Sequence, residues 1–336
     1  MLTPLAIRLA ERTGFYDRPG AGYKQHGRVT PYLGGLALVG AFLIGSLTWP
    51  SVVEHLWPVL LGAVVLWALG TVDDRITVRP LLRVVAEVAL ATLLFVADRG
   101  WGVTGSGAVD LTLTVLWVVA VVNAFNLMDN MDGASATVGL VAAFGIGVAA
   151  TVGGDYGLAV GAFSLGGACA GFLCFNLAGP ARVFLGDGGS MPLGFLVAGM
   201  TMSVAWHGRV GWAAIVCGGL LVGLPALDTF LVIVSRRRRG VSFLEGGRDH
   251  LTHRLAARLG TPRRVALVLG AGQAVSTAAA VATGSVGRLP VLGAGVCYLL
   301  LAAAVVARLE TASWRVSDDT ATASDNGRTL SALASS

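Results

Sequence analysis

The chain has 336 residues, of which 55% are hydrophobic and only 13% are charged. Soluble globular domains carry about 25% charged residues, so this composition excludes a soluble enzyme, a disordered protein and a secreted disulfide scaffold. The four cysteines lie inside apolar runs without CxxC spacing, which indicates small reduced side chains and not a metal site. The composition therefore predicts an all-α, polytopic membrane protein.

Apolar segments of nearly membrane-spanning length recur along the chain. A spanning helix needs about 20 mainly apolar residues. Ten segments approach this length: 31–49, 56–72, 82–97, 111–125, 134–152, 156–176, 191–206, 211–235, 265–282 and 289–308. They lack the period-2 alternation of barrel strands, so we predict a transmembrane helical bundle of about ten spans within residues 1–310. Residues 311–336, rich in Ser, Thr, Ala and Asp, are expected to form a disordered cytoplasmic tail.

The basic residues predict the orientation of these spans. With the N-terminus in the cytoplasm, the outside loops hold only Arg99, Arg209 and Arg288 of the 24 lysine and arginine residues. The net charge of +5 is then mostly a topology signal, and a nucleic-acid partner is not expected. The run from Arg236 to Arg239 is expected to lie near anionic lipid headgroups.

The first polar segment carries Lys24 and His26 and precedes TPYLGG at 30–35. These two residues are either positive-inside anchors or part of a substrate site.

The motif GTVDDR places Asp73 and Asp74 at the cytoplasmic end of a predicted helix. Ionisable groups close to the hydrocarbon are costly, and the helix dipole and mutual repulsion both disfavour two carboxylates there. The pair is either a solvated boundary beside Arg75 or is kept ionised by Mg²⁺ or by a positive substrate contact.

The segment NAFNLMDNMDGASA has a polar residue at every third position. Asn123, Asn126, Asp129 and Asp132 share one helical face if the helix continues through this segment. Polar groups at that spacing between two apolar spans are hard to explain by packing. The alternative is a capped turn in which Asp132 and Gly133 end one helix and Ser135 begins the next.

The segment 175–195, FNLAGPARVFLGDGGSMPLGF, combines glycines with an acid at the beginning of a predicted helix. A glycine-rich turn that leads into a helix exposes backbone N–H groups, which suits a phosphate. Asp187 in this turn would serve a metal ion that bridges phosphates. The alternative is a tight turn with an acidic cap.

The last motifs lie near the end of the chain. Asp228, inside the predicted span 211–235, is expected to pair with an arginine. His250 and His253 lie at i and i+3 on a short basic helix beside Arg248. Without a third ligand nearby, an anion-facing role is favoured over zinc; the alternative is a solvated basic face.

Taken together, these motifs resemble those of the polyprenyl-phosphate N-acetylhexosamine-1-phosphate transferases, of glycosyltransferase family 4. The similarity covers almost the whole chain in order: the K-x-H…TPxxGG segment, GTVDDR, NAFNLMDNMDG, FN…GPARVFLGDGGS, PALDTF and RDHLTHRL. Each motif is weak alone, but six in register are specific. The resemblance implies a plasma-membrane enzyme of bacteria, with a cytoplasmic active site, that transfers a sugar 1-phosphate from a UDP-N-acetylhexosamine to undecaprenyl or another polyprenyl phosphate and releases UMP.

The resemblance also implies roles for individual residues. Asp187, with Asp132, is expected to bind Mg²⁺, for which Mn²⁺ is an alternative. Asp73 and Asp74 would position the lipid phosphate or take its proton, by a single displacement or through an aspartyl intermediate. Phe184 would stack on uracil. His250 and His253 are assigned to the catalytic residues, with Asp73, Asp74 and Asp187, and would hold phosphate or sugar. The remaining substrate contacts are assigned to Lys24, His26, Asn123, Asn126, Asp129, Asp132, Asn176 and Arg248.

The chain departs from the family pattern at two motifs and at its beginning. D-G-x-D-G is replaced by Asp129-Asn130-Met131-Asp132-Gly133, and H-x-H-H by His250-Leu251-Thr252-His253. The second change favours UDP-N-acetylglucosamine as donor over the muramoyl-pentapeptide branch, which remains an alternative. The first family helix is nearly missing, so we expect ten of eleven helices and an upstream start. A secondary transporter is the alternative from another class, and a homodimer is compatible with all of these readings.

Overall fold

The computed structural model describes residues 2–17, 30–204, 211–242 and 247–312. Within them the chain forms thirteen helices and one two-stranded antiparallel pairing. The elements in order are α1 (Leu2–Thr13), β1 (Tyr16–Asp17), β2 (Thr30–Pro31), α2 (Gly34–Leu47), α3 (Pro50–Asp73), α4 (Pro80–Val96), α5 (Gly107–Met128), α6 (Ala134–Val152), α7 (Tyr156–Asn176), α8 (Asp187–Ser203), α9 (Trp212–Leu221), α10 (Gly223–Arg239), α11 (Leu251–Leu259), α12 (Pro262–Gly284) and α13 (Arg288–Ala312).

The all-α, polytopic prediction is confirmed, and each of the ten predicted spans contains helix. Among the described helices, α3, α5, α6, α7, α12 and α13 are long and apolar enough to cross a membrane. The helices α2, α4 and α8 have 14 to 17 residues, which at 1.5 Å per residue corresponds to about 21–26 Å. They are shorter than the roughly 30 Å thickness of a bilayer core.

The helix α8 lies at the centre of the bundle, and residues 188–202 are all buried. A helix that is apolar on every side is stable only when it is surrounded by protein. Glycines allow the close packing: a Cβ on Gly194 would lie 2.8 Å from Val122 Cα, and one on Gly62 would lie 2.2 Å from the ring of Phe195. This packing places the beginning of α8 among the ends of its neighbours.

The predicted span 211–235 is not one helix. It breaks at Val222, and α9 and α10 meet at 82°. The groups at the break are hydrogen-bonded: Gln273 accepts from Leu224 N and donates to Leu221 O, and Tyr298 Oη donates to Gly223 O. Because side chains of α12 and α13 replace the missing helical partners, the bend is stable inside the bundle.

Candidate active site

The end of α3 and the beginnings of α2 and α8 meet at one point, and the contact requires glycine. A Cβ on Gly35 would lie 2.2 Å from Gly188 O, and one on Gly70 would lie 2.3 Å from Asp187 O. Real Cβ atoms are not found that close to backbone, so any side chain at either position would push α8 away. The glycines of GTVDDR and TPYLGG therefore bring the backbone of FLGDGGS into contact with Asp74.

Asp74 caps α8. Its Oδ1 accepts a hydrogen bond of 2.8 Å from Asp187 N, and its Oδ2 accepts one of 3.0 Å from Gly188 N. The next two amides, of Gly189 and Ser190, donate to Gly186 O. The prediction that these amides are exposed for a phosphate is wrong, because all four have acceptors inside the protein.

Arg83 of α4 connects two carboxylates, Asp73 and Asp187, with the side chain of Asn126. Its Nη1 lies 2.7 Å from Asp73 Oδ2 and 3.3 Å from Asp187 Oδ2. Its Nη2 donates to Asn126 Oδ1 at 2.7 Å. Sequence reasoning missed this residue, although an arginine one turn before Glu87 in an apolar helix is a signal for a buried polar function.

Asn126 links Arg83 to the beginning of α8. Its Nδ2 donates to Asp187 Oδ1 at 2.7 Å and to Ser190 Oγ at 3.0 Å. Four helices thus converge on Asp187, whose side chain keeps 31% of its accessible surface. It is the most accessible of the paired carboxylates in this cluster, since the side chain of Asp73 retains only 5%.

The segment after Asn126 is a turn and not a helical continuation. The helix α5 ends at Met128, and Gly133, at a φ of 78°, is the N-cap of α6. The four polar residues therefore do not form one face. Asn123 lies a turn deeper and donates to Glu87 Oε2 at 2.7 Å, so it does not join the cluster around Asp187.

The turn nevertheless brings Asp129 to the other carboxylates. Desolvation, followed by the charges of Asp187, Asp74 and Asp132, raises the pKa of Asp129 well above its ordinary value. Burial, followed by the charge of Asp187, raises the pKa of Asp74 to about 8. Grouping these carboxyls therefore makes their ionisation costly, and a bound cation would offset that cost.

The loop before α8 positions two further predicted residues. Asn176, the last residue of α7, is buried. Its Oδ1 accepts a hydrogen bond of 2.5 Å from Gly133 N, and its Nδ2 donates one of 2.9 Å to Val183 O. It therefore connects the 129–133 turn to the loop before α8. Phe184 is half-buried, and its ring meets that of Tyr32 edge to face at 6.1 Å. Its stacking on uracil stays a prediction. Lys24 and His26 lie outside the described residues.

The histidine motif lies beside the same end of the bundle. The Nδ1 atom of His250 is 2.8 Å from Asp228 Oδ2, so the predicted arginine partner of Asp228 is a histidine. Thr252 Oγ1 donates to Asn130 Oδ1, which ties the first turn of α11 to the 129–133 turn. His253 is half-buried, and burial, His250 and the exposed Arg248 lower its pKa.

The four-arginine run makes contacts within the protein, and its expected position near lipid headgroups stays a prediction. Arg236 is buried, and its Nε lies 2.8 Å from Asp249 Oδ2. Arg239 Nη2 lies 2.7 Å from the same oxygen. At least two of the four arginines therefore fasten the 247–250 segment to α10.

Oxygen atoms dominate the cluster, which is the donor chemistry that Mg²⁺ prefers. Among the described residues no group of three or more His, Cys, Asp or Glu side chains is placed so that it could hold a metal ion. A protein Mg²⁺ site commonly supplies only one or two carboxylates, and substrate phosphates and water complete the shell. The accessible Asp187 fits this type of site, and Asp132, whose charge acts on Asp129 as that of Asp187 does, lies on the adjacent turn.

Comparison with known proteins gives a match to one family model and similarity to several relatives. Residues 56–205 match the model of glycosyl transferase family 4. The decaprenyl-phosphate N-acetylglucosaminephosphotransferase of Mycobacterium tuberculosis is 33% identical over 282 residues, which cover 73% of this chain and 70% of that protein. A protein of Bacillus subtilis named as an undecaprenyl-phosphate N-acetylglucosaminyl 1-phosphate transferase is 27% identical, over 76% of this chain and 74% of its own length.

A protein of Streptomyces coelicolor named as a glycosyltransferase is 37% identical over 268 residues. The alignment covers 72% of this chain and 58% of that relative, so the chain spans somewhat more than half of its length.

Proposed function

The chain belongs to glycosyl transferase family 4, and on that premise we propose that it transfers N-acetylglucosamine 1-phosphate from UDP-N-acetylglucosamine to undecaprenyl or another polyprenyl phosphate, releasing UMP. The product would be the first lipid-linked intermediate of a cell-wall polysaccharide. The names of the Mycobacterium and Bacillus relatives support both the sugar and the lipid acceptor. The observation that carries the proposal is the convergence of Asp73, Asp74 and Asp187 with Arg83 at one end of the bundle.

The reaction joins two anions, so charge neutralisation is its main requirement. An oxygen of the lipid phosphate attacks the β-phosphorus of the donor, and the bond between this phosphorus and the bridging oxygen breaks to release UMP. Catalysis of such a transfer is mostly positioning and electrostatic stabilisation. Arg83 supplies a fixed cation beside Asp187, and His250 and His253 supply polar groups at the adjacent edge.

Asp187 and Asp132 would hold Mg²⁺. When bound, this ion supplies neutralisation of the diphosphate. Asp74 keeps the beginning of α8, and hence Asp187, in place through its two amide contacts. A phosphate monoester has a second pKa of about 6, so the lipid phosphate needs little help from a base at neutral pH. We therefore assign Asp73 and Asp74 mainly to positioning.

The protein crosses the membrane several times, and we propose the bacterial plasma membrane with the site facing the cytoplasm. The distribution of Lys and Arg supports this orientation. A UDP-sugar is a cytoplasmic solute and the lipid phosphate lies at the inner leaflet, so a site at the cytoplasmic helix ends reaches both. In this proposal membrane lipid surrounds the bundle and the protein forms a homodimer. A nucleic-acid partner is not expected.

The polar cluster argues against the transporter alternative. Carriers bind their substrates near the middle of the bilayer, between repeated halves. Here the cluster lies where α3, α5 and α7 end and where α4, α6 and α8 begin. That common end of the helices is a membrane face, which suits a reaction between a soluble donor and a lipid headgroup.

The test is a transfer assay with purified protein in nanodiscs that contain undecaprenyl phosphate. UDP-GlcNAc, UDP-GalNAc and UDP-MurNAc-pentapeptide are supplied separately with Mg²⁺, and UMP and lipid-linked sugar are measured. We expect UMP and lipid-linked sugar in equal amounts, fastest with UDP-GlcNAc. Product from UDP-MurNAc-pentapeptide alone would assign the chain to the muramoyl branch, and solute uptake by proteoliposomes without UMP release would contradict the transferase.

A further inference from the structure

A buried polar pair lies between α10 and the beginning of α11, beside the acidic cluster. Asp228 has no accessible surface, and His250 is 5% exposed. Asp228 Oδ2 lies 2.8 Å from His250 Nδ1, and Asp228 Oδ1 accepts a hydrogen bond of 2.6 Å from Leu251 N. Both carboxylate oxygens of Asp228 therefore contact the beginning of α11: one its N-cap, His250, and the other its first residue, Leu251.

The pair determines which nitrogen of His250 meets a ligand. A carboxylate oxygen accepts hydrogen bonds, so Nδ1 is the ring nitrogen that carries the hydrogen in the contact with Asp228. Nε2 is then the ring nitrogen with a lone pair, and the ring cannot turn without losing the bond to Asp228.

A separate contact ties the first turn of α11, which follows this ring, to the 129–133 turn of the candidate active site. Thr252 Oγ1 donates to Asn130 Oδ1, and Asn130 lies between Asp129 and Asp132 in the chain. Thr252 and Asn130 stand at the two motifs where the sequence departs from the family pattern, and they contact each other. The first turn of α11 is thus fixed to α10 through Asp228 and to the 129–133 turn through Asn130.

We propose that Asp228 is a positioning residue that holds His250 as the Nδ1–H tautomer, so that Nε2 accepts a hydrogen bond from a hydroxyl or amide N–H of the UDP-sugar. The proposal rests on the proposed function for the identity of the ligand. The tautomer itself depends only on the contacts of Asp228.

The substitution Asp228→Asn tests the tautomer without changing the shape of the side chain. Leu251 N needs an acceptor, so the amide oxygen of the asparagine must face Leu251 and its NH₂ group must face His250. Nδ1 must then accept, which forces the hydrogen onto Nε2. The same substitution in a catalytic triad acts through the wrong tautomer while the geometry is kept.

The measurement is ¹⁵N NMR of protein with labelled histidine in nanodiscs, without substrate. The chain has five histidines, and His250→Gln identifies the signals of His250. We expect the Nδ1–H pattern in the wild type and the Nε2–H pattern in Asp228→Asn. An Nε2–H pattern in the wild type overturns the proposal even if the variant does not fold.

Asp249→Asn is the matched control, because Asp249 anchors the same segment through Arg236 and Arg239. It should leave the tautomer of His250 unchanged. A change of tautomer in this control, or no change in Asp228→Asn, would mean that Asp228 does not act by the contact to Nδ1.

Activity gives a second, independent readout. We expect Asp228→Asn and His250→Gln each to lower kcat/KM about tenfold, the value of one lost substrate hydrogen bond. The double variant should be no worse than His250→Gln, because Asp228 acts through His250. Losses that multiply would overturn the proposal. A wild type that releases no UMP from any UDP-sugar would contradict the proposed function and leave the NMR result standing.

Discussion

At the scale of single residues, Arg83 explains how several carboxylates coexist at one point. Its guanidinium contacts Asp73 and Asp187 with one nitrogen and Asn126 with another. A planar fork of donors can do this, whereas a lysine ammonium is a point charge. Arg83 therefore has two tasks: it fixes the orientation of Asp187, and it places a positive charge where a diphosphate would bind.

We expect Arg83→Gln to lower kcat about 100-fold, comparable to the loss of one well-placed donor to a developing anion. Arg83→Lys keeps the charge but not the fork, so its loss should be smaller. UMP release from UDP-GlcNAc measures both. Equal activity of Arg83→Gln and the wild type would mean that Arg83 serves only the fold.

The acidic residues of the site could be predicted from the sequence, but the hydrogen bonds that connect them could not. Asp74 and Asp187 stand out because charged residues beside apolar spans are costly. Arg83 was missed because an arginine near a cytoplasmic helix end also satisfies the positive-inside rule, which hides the signal of its spacing from Glu87. The capping of α8 by Asp74 depends on a contact between residues 113 positions apart, which no local pattern encodes.

At the scale of the elements, the contact between α3 and α8 determines where Asp187 lies. Gly70 permits it, because a Cβ there would be 2.3 Å from Asp187 O. The atoms it would meet are backbone, which cannot move aside as a flexible side chain can. Any side chain at this position must separate the two helices.

We therefore expect Gly70→Ala to displace Asp187 and to lower kcat at least about tenfold, since misplacement of a catalytic group by about 1 Å can cost 100-fold. Gly167→Ala is the control, because a Cβ on Gly167 would meet nothing within 4 Å. The assay is UMP release, with thermal unfolding as a check of stability. Comparable activity of the two variants would show that the α3–α8 contact does not set the site.

The bend between α9 and α10 shows why a hydropathy pattern misses some elements. Residues 211–235 are mostly apolar, so their hydropathy predicts one span, yet the helix breaks at Val222. The break is stabilised by Gln273 and Tyr298, which lie far along the chain in α12 and α13. The bend orients α10, the helix that carries Asp228 and Arg236.

At the scale of the whole molecule, charged residues fasten the last helices together at the end that carries the site. Asp249 joins α10 to the segment before α11, and Arg254 lies 2.6 Å from Glu310 Oε1 of α13. Burial raises the pKa of Asp249, but the hydrogen bonds and charge of Arg236 outweigh it and leave the pKa below its usual range.

Because the pKa of Asp249 is lower in the folded protein than in the unfolded chain, its contribution to stability is present above the unfolded value of about 4. It is lost as the pH falls through the folded pKa. We expect Asp249→Asn to lower the free energy of unfolding by about 3 kcal/mol at pH 7, since it breaks a buried ion pair. Thermal unfolding in detergent measures this difference in stability. If the difference between Asp249→Asn and the wild type does not become smaller below pH 4, the stabilising role of the ionised Asp249 is contradicted.

The most direct test of the proposed active site is UMP release by Asp187→Asn across a Mg²⁺ titration, beside the wild type in the same membranes. We expect the wild type to depend on Mg²⁺, to lose activity in EDTA and to regain it when the ion is restored. Asp187→Asn should be expressed normally and show no Mg²⁺-dependent release. Activity of this variant within a few-fold of the wild type would contradict the metal role of Asp187 and the site built around it.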